Sequence, residues 1–293
     1  MTAAQPARPG RLAVGLVGAG RAGSAITAAL CRAGHRLVAV TSSSRSWPLL
    51  PPAPRLPADE VAAGCELLLL TVPDDALADL IRGLAVTGAL REGQLVVHTS
   101  GRHGLGVLKP ASDLGAAPLA LHPVMTFTGA EADLPRLAGA SIGVTTPERL
   151  RAAGELLALE MGGEPVWVPD AERPLWHAAL AHGANHLVTL VGQAMDLLTT
   201  AGVEHPDRVL GPLLAATLDN TLRANSAALT GPVSRGDAAT VAEHLRVLSA
   251  ASPASTYDCY LALARATLAR AEDAGRLRGP DAAALARVLG QAP

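Results

Sequence analysis

Two hydrophobic rhythms divide the chain. From Leu12 to about Val168, short apolar runs alternate with Ala/Leu-rich stretches of helical character. The runs are LAVGLVG, RLVAVTS, ELLLLTV, QLVVHTS, PLALHPV, SIGVTT and PVWVP. They are apolar throughout, as strands covered on both faces should be. Their alternation with helices predicts βαβ units and a mostly parallel sheet. Ser46 to Pro57, SWPLLPPAPRLP, is too rich in proline for a helix and is expected as a surface connection. After Pro169 the strand pattern stops, and from Pro174 onward only helices are predicted, punctuated by AGVEHPD, LTGPVSRGD and AASPAST. The expected class is α/β: a sheet with helices on both faces over residues 11–170, then an all-helical domain over 171–293. Residues 1–10 are expected as a short disordered tail.

The longest apolar run, His186 to Val203, is interrupted by Gln193 and Asp196 and reads as a buried helix, not a membrane span. Within it, LVTLVGQAMDLL is apolar around more of its circumference than one core stripe needs. A second helix surface is expected to cover the rest, which predicts a homodimer through the helical domain.

Composition narrows the function classes. A formal charge of −2, scattered basic residues and 2% aromatics argue against a nucleic-acid or membrane-surface protein. Cys31, Cys65 and Cys259 are far apart and odd in number, as reduced thiols in a cytoplasmic protein would be. The opening MTAAQPARPGR lacks the apolar stretch of a signal peptide. Lys109 is the only lysine.

The first strand runs into Gly18-Ala19-Gly20-Arg21-Ala22-Gly23 and then a helix. Gly18 suits the tight turn, Gly20 lets a pyrophosphate approach the backbone, and Gly23 lets helix and strand pack closely. The helix N-terminus offers unpaired N–H groups to phosphate, and Arg21 sits within the loop. Residues 11–170 are therefore expected to form a Rossmann-type dinucleotide domain. NAD binding ordinarily uses an acid at the end of the second strand, yet no acidic residue lies between Ser24 and Ala58. That strand ends in Ser42-Ser43-Ser44-Arg45, whose hydroxyls and guanidinium suit a 2′-phosphate, so NADP(H) is the expected cofactor.

Ligands of such sheets sit beyond the carboxyl ends of the strands. There, Val72 and Pro73 could pack on the dinucleotide, with Asp74 either a helix cap or a ligand contact. Ser100 and Gly101 would place a hydroxyl and bare backbone near the nicotinamide. His122 and Thr126 could face the substrate, although a histidine bonded into the core is an equal reading of His122.

GAGRAG, TVPDDAL, HTSG, LHPVMTF, WHAALAHGAN and TGPVSRGD with the later His244-Leu245 together resemble a family of Rossmann-like oxidoreductases. These have a C-terminal helical domain of unknown function. They are related to pyrroline-5-carboxylate reductase and 6-phosphogluconate dehydrogenase, and some resemble the alternative type of ketopantoate reductase. The resemblance implies an NADP-type domain, a helical domain that commonly dimerises, and a cleft between the two. It picks out His177 and Asn185 as catalytic. They lie eight residues apart, about 80° around a regular helix, so both could edge one cleft. Related hydroxyacid dehydrogenases use a lysine four residues before the asparagine, but Ala181 stands there. A histidine suits proton donation near neutrality, so His177 is the expected donor and Asn185 a hydrogen-bonding partner of the substrate.

His182 and His186 share a helix face, but no third ligand is evident and no metal is expected. Arg235 could bind a substrate carboxylate or pair with Asp237 to cap the next helix. The sequence thus predicts an NADPH-dependent reductase of a small 2-oxo acid, ketopantoate-like, with its site at the domain junction. The alternatives are reduction of an imine acid of the pyrroline-5-carboxylate type, or a non-catalytic NADPH-binding sensor.

Overall fold

The computed structural model describes residues 11–43 and 48–290. The tail expected over 1–10 and the candidate Arg45 lie outside the described residues. Two compact units divide the chain, Met1–Ala181 and His182–Pro293.

The first unit is a sheet of β1 (Ala13–Val17), β2 (Arg36–Thr41), β3 (Leu67–Leu70), β4 (Leu95–His98), β5 (Ala117–Pro123), β6 (Ser141–Thr145) and β7 (Glu164–Trp167). Their order is β2-β1-β3-β4-β5-β6-β7, and every neighbouring pair is parallel except β5 with β6. Between the strands run α1 (Arg21–Ala33), α2 (Ala58–Ala63), α3 (Asp74–Val86), α4 (Lys109–Ser112), α5 (Asp133–Leu137) and α6 (Arg151–Glu160), with α7 (Arg173–Leu180) after β7.

The period of two in a strand explains the uniform apolarity of β3. Leu67 and Leu69 enter one core with Ile26 and Leu30 of α1 and Leu157 of α6. Leu68 and Leu70 enter the other, with Val61 of α2 and Leu77 and Ile81 of α3. Each leucine so buried is worth roughly 1.5–3 kcal/mol. Cys65, wholly buried, fills the space left by Gly15, where a Cβ would come within 2.8 Å of its Sγ. Burial pushes its thiol up to about 11, against the opposing hydrogen bonds around it.

Compactness divides the chain at Ala181, whereas the strand pattern alone suggests residue 170. The side chain of Arg173, at the head of α7, is bonded into the sheet, which ties this helix to the first unit.

An i→i+5 helical turn, Ala181–Asn185, follows α7. The second unit holds α8 (His186–Thr200), α9 (Pro206–Ala224), α10 (Pro232–Arg235), α11 (Ala238–Ala251), α12 (Ala254–Asp273) and α13 (Gly279–Val288). Its core joins Val233, Val241, Leu245, Leu268 and Leu285 from α10 to α13. Neither α8 nor α9 has a buried residue. The helix expected to be buried is exposed over residues 186–190 and half-buried over most of 191–198, with Val188 73% exposed, and Leu222 of α9 is 79% exposed. Among the described residues no helix is long and apolar enough to cross a membrane.

Candidate active site

The end of β1 turns at Gly18, whose φ of +100° suits glycine and where a Cβ would lie 2.8 Å from the backbone of Thr71. Gly23 is pressed between Thr71 Oγ1 and the Gly18 carbonyl, so α1 can start this close to the sheet only without a side chain there. Gly20 caps α1 and has nothing within 4 Å of its Cβ position, leaving bare backbone beside the helix N-terminus. These are the features a dinucleotide phosphate needs.

A cavity of about 620 Å³ opens at this loop. Of the predicted residues, Gly18 and Gly20 line it, as do Ser42 and Ser43 beyond β2. Val72, Pro73, Ser100, Gly101 and His177 complete the predicted part of its wall. Gly23 does not line it, and the stem of Arg21 lies against Gly129 instead, with Cγ 2.8 Å from the Cβ position there. Thr41, Thr71, Asp74 and Thr99 also line it. Asp74 is not the cap of α3, a position held by Pro73; its Oδ2 instead pairs with Arg102 Nε at 3.2 Å. An arginine that the sequence reading passed over stands at the end of β2. The proline-rich segment bridges Arg55 to Val40, and its guanidinium donates to the Ser42 carbonyl.

Around Gly101 the structure gathers imidazoles. A Cβ there would meet His177 Cδ2 at 2.6 Å, His122 Cε1 at 2.9 Å and His122 Nε2 at 3.0 Å. The rings of His122 and His177 stand 6.1 Å apart, nearly perpendicular. Trp176 Nε1 donates to His122 Nδ1 at 3.1 Å. His98, fully buried, accepts from the Ser100 N–H through Nδ1, so its Nε2–H donates to the Gly104 carbonyl at 3.1 Å.

Arg173 lies beneath them with no exposed surface. Its Nε donates to Thr145 Oγ1 at 2.9 Å and its Nη1 to the Ser100 carbonyl at 2.8 Å. Its Nη2 serves the carbonyls of Ala120 and Gly143, each at 2.8 Å. Burial pushes Arg173 down to about 10, so it stays charged at neutral pH. Burial, and then the Arg173 charge, push His98 down to about 3 and His122 down to about 4. Both are neutral imidazoles at neutral pH, which makes His122 a hydrogen-bond donor but a poor proton source.

Thr126 is exposed in the loop after β5 and is not a lining residue. Asn185 is exposed in the second unit, and the i→i+5 turn ending at it changes the helical phase by which an 80° separation from His177 was reckoned. Arg235 is exposed at the end of α10. Asp237 caps α11, accepting from Thr240 N at 3.1 Å. The Thr240 hydroxyl and N–H, with a smaller contribution from the Arg235 charge, hold its carboxyl below the usual range. His182 and His186 share a hydrogen bond between their Nδ1 atoms at 3.2 Å, one ring donating to the other. No group of three or more metal-ligating side chains occurs among the described residues.

Residues 2–123 match the model of a Rossmann-like domain and residues 140–267 that of a domain of unknown function, DUF2520. A search of curated proteins gives no match. Among solved structures, the chain is similar to a Bacteroides fragilis protein assigned as an NADP oxidoreductase. That pair has a TM-score of 0.73 and 23% identity over 88% of this chain and 98% of that one. An imine reductase from Pseudomonas sp. gives 0.67 and 20% over 96% and 100%. The pyrroline carboxylate reductase of Plasmodium falciparum, solved with NADP bound, gives 0.59 and 12% over 94% and 100%. At such identities the likeness is one of fold.

Proposed function

The chain being a Rossmann-like protein that carries the DUF2520 domain, we propose that it is an NADPH-dependent reductase of a small 2-oxo acid, ketopantoate-like. The observation that carries this reading is the placing of two imidazoles, His122 and His177, at Gly101 on the wall of the cavity that begins at the glycine loop. In it, Gly18, Gly20 and the N-terminus of α1 hold the pyrophosphate. Ser42, Ser43 and Arg55 take the 2′-phosphate at a strand end without an acid, and Val72 and Pro73 pack against the dinucleotide. Bound there, the reduced nicotinamide supplies a hydride. Ser100 and Gly101 border the reacting carbonyl, and His177 hands its oxygen a proton. Asn185, Thr126 and Arg235 are held in reserve as substrate contacts.

Reduction of an imine acid is the second reading, supported by the fold shared with the imine and pyrroline carboxylate reductases. We also propose a homodimer through the helical unit, since α8 and α9 leave Val188, Leu213 and Leu222 open to water.

NADPH consumption across a panel of oxo and imine acids tests the function. Turnover of a 2-oxo acid, with kcat reduced by roughly 10²–10⁴-fold in His177→Ala, is expected. NADPH binding without turnover of any member would make the protein a sensor instead.

A further inference from the structure

Trp176 and Arg173 stand on one helix, α7, and both act on His122. The indole N–H fills the Nδ1 lone pair of the neutral ring, which leaves the ring's proton on Nε2. Nε2 borders Gly101, and Gly101 lines the cavity. Trp176 is itself held: a Cβ on Gly143 would meet the indole at 2.9 Å, so strand β6 is bare where the ring lies.

Arg173 supplies the charge. All four of its hydrogen bonds go to neutral oxygens, three of them main-chain carbonyls. The acid that acts on it, Asp170, already accepts from the Leu105 N–H at 2.6 Å. Among the described residues no carboxylate is bonded to this buried positive charge, which sets the sign of the potential around it. The Nη1 bond to the Ser100 carbonyl brings that charge to the cavity wall, and burial with Arg173 keeps the His122 ring neutral. The remaining groups acting on His122 are His177, which adds to the effect, and Asp74, which opposes it and is paired with Arg102.

Building on the reductase reading, we propose that His122 is a fixed neutral donor to a carbonyl oxygen, with Trp176 as its positioning residue. The same site takes 2-oxo acids as anions and rejects preformed iminium ions.

The chemistry is consistent with this division of labour. When hydride forms the new C–H bond, the π pair of the C=O bond passes to oxygen. The Nε2–H bond to that oxygen strengthens as its charge grows. A proton from His177 completes the alcohol, and solvent returns a proton to His177. An iminium carries its positive charge before hydride arrives. It would have to enter where Arg173 already disfavours a cation.

Two measurements test the proposal. The first is 15N NMR of histidine-labelled protein without cofactor, the His122 signals being those that His122→Asn removes. A protonated Nε2 and an unprotonated Nδ1, unchanged from about pH 8 to about pH 5.5, are expected. Trp176→Phe keeps the bulk and removes the donor, and should move both signals toward the average of two tautomers. A protonated Nδ1, or an imidazolium at neutral pH, in the wild-type protein overturns the proposal whether or not Trp176→Phe folds.

The second is calorimetry on protein loaded with NADPH, whose reduced ring carries no positive charge, comparing oxamate, a stand-in for a 2-oxo acid, with pyrrolidine, a cation at neutral pH. Oxamate should bind at least about tenfold more tightly, as expected when like charges are set against each other. Equal or tighter binding of pyrrolidine, or binding of neither, overturns the substrate half. Failure of NADPH itself to bind removes the reductase reading and the substrate half with it, and the His122 spectrum still decides the donor.

Discussion

A methyl group on Gly101 would meet His177 at 2.6 Å and His122 at 2.9 Å, so Gly101→Ala must displace one ring or both. Overpacking of this kind costs roughly 1–3 kcal/mol. If the rings serve the reaction, kcat falls by about tenfold or more while the folded protein persists, read by steady-state rates beside a melting curve. Wild-type turnover in Gly101→Ala would remove both rings from the chemistry. At this scale the glycine loop was legible because its spacing encodes backbone contacts directly: Gly18 and Gly23 are pressed by Thr71 as the motif requires. Arg173 was not. Its partners are main-chain oxygens and one threonine, 28 to 73 residues away in sequence, so no local pattern marks it. Arg55 was hidden for a similar reason, since only its bridge to Val40 brings it to the end of β2.

Among the elements, the loop between β5 and α5 is held by one side chain. The buried Asp133 carboxylate accepts from the Thr128 N–H at 2.9 Å, the Thr128 hydroxyl at 2.8 Å and the Gly129 N–H at 2.7 Å. Burial opposes ionisation, but these bonds outweigh it and hold the carboxyl below its ordinary range. A depressed carboxyl contributes stability that is present above its unfolded pKa and lost as pH falls through the folded value. Asp133→Asn should therefore lower Tm near pH 7, by roughly 2–4 °C for each kcal/mol lost in a domain of this size. The gap should narrow in acid, where the wild-type carboxyl is itself protonated. Equal melting at neutral pH would show that the loop does not depend on the charge. The strands were legible as elements because both faces of β3 are covered, which leaves a continuous apolar run. For α8 the converse holds, since apolar residues show that a helix needs cover but not whether its own chain or a second copy supplies it, and within the single chain none of its residues is fully buried.

On the scale of the whole molecule, acid should act on the first unit through its buried histidines. His98 is neutral when folded, with a pKa near 3, against about 6.5 when unfolded. Below about pH 6.5 the unfolded chain binds a proton that the folded chain refuses, so stability falls as pH falls. By pH 5 His98 alone should remove about 2 kcal/mol, at 1.36 kcal/mol per unit. Urea unfolding at several pH values measures this, and a stability unchanged between pH 6.5 and pH 5 contradicts it. The open faces of α8 and α9 lead to a separate expectation, that light scattering at micromolar concentration gives the mass of two chains. A mass near 29.7 kDa would refute the homodimer.

Cys65 makes the opening of the sheet something that can be timed. Its thiol has no exposed surface and a pKa near 11, and it packs on Gly15 of β1. The thiolate is the reactive species, so an alkylating reagent has almost nothing to attack until this part of the fold comes apart. Cys259 lies in the second unit and is partly exposed. Mass spectrometry of the two alkylated peptides thus gives two clocks in one tube, the slower of which runs only as fast as the parallel sheet breathes.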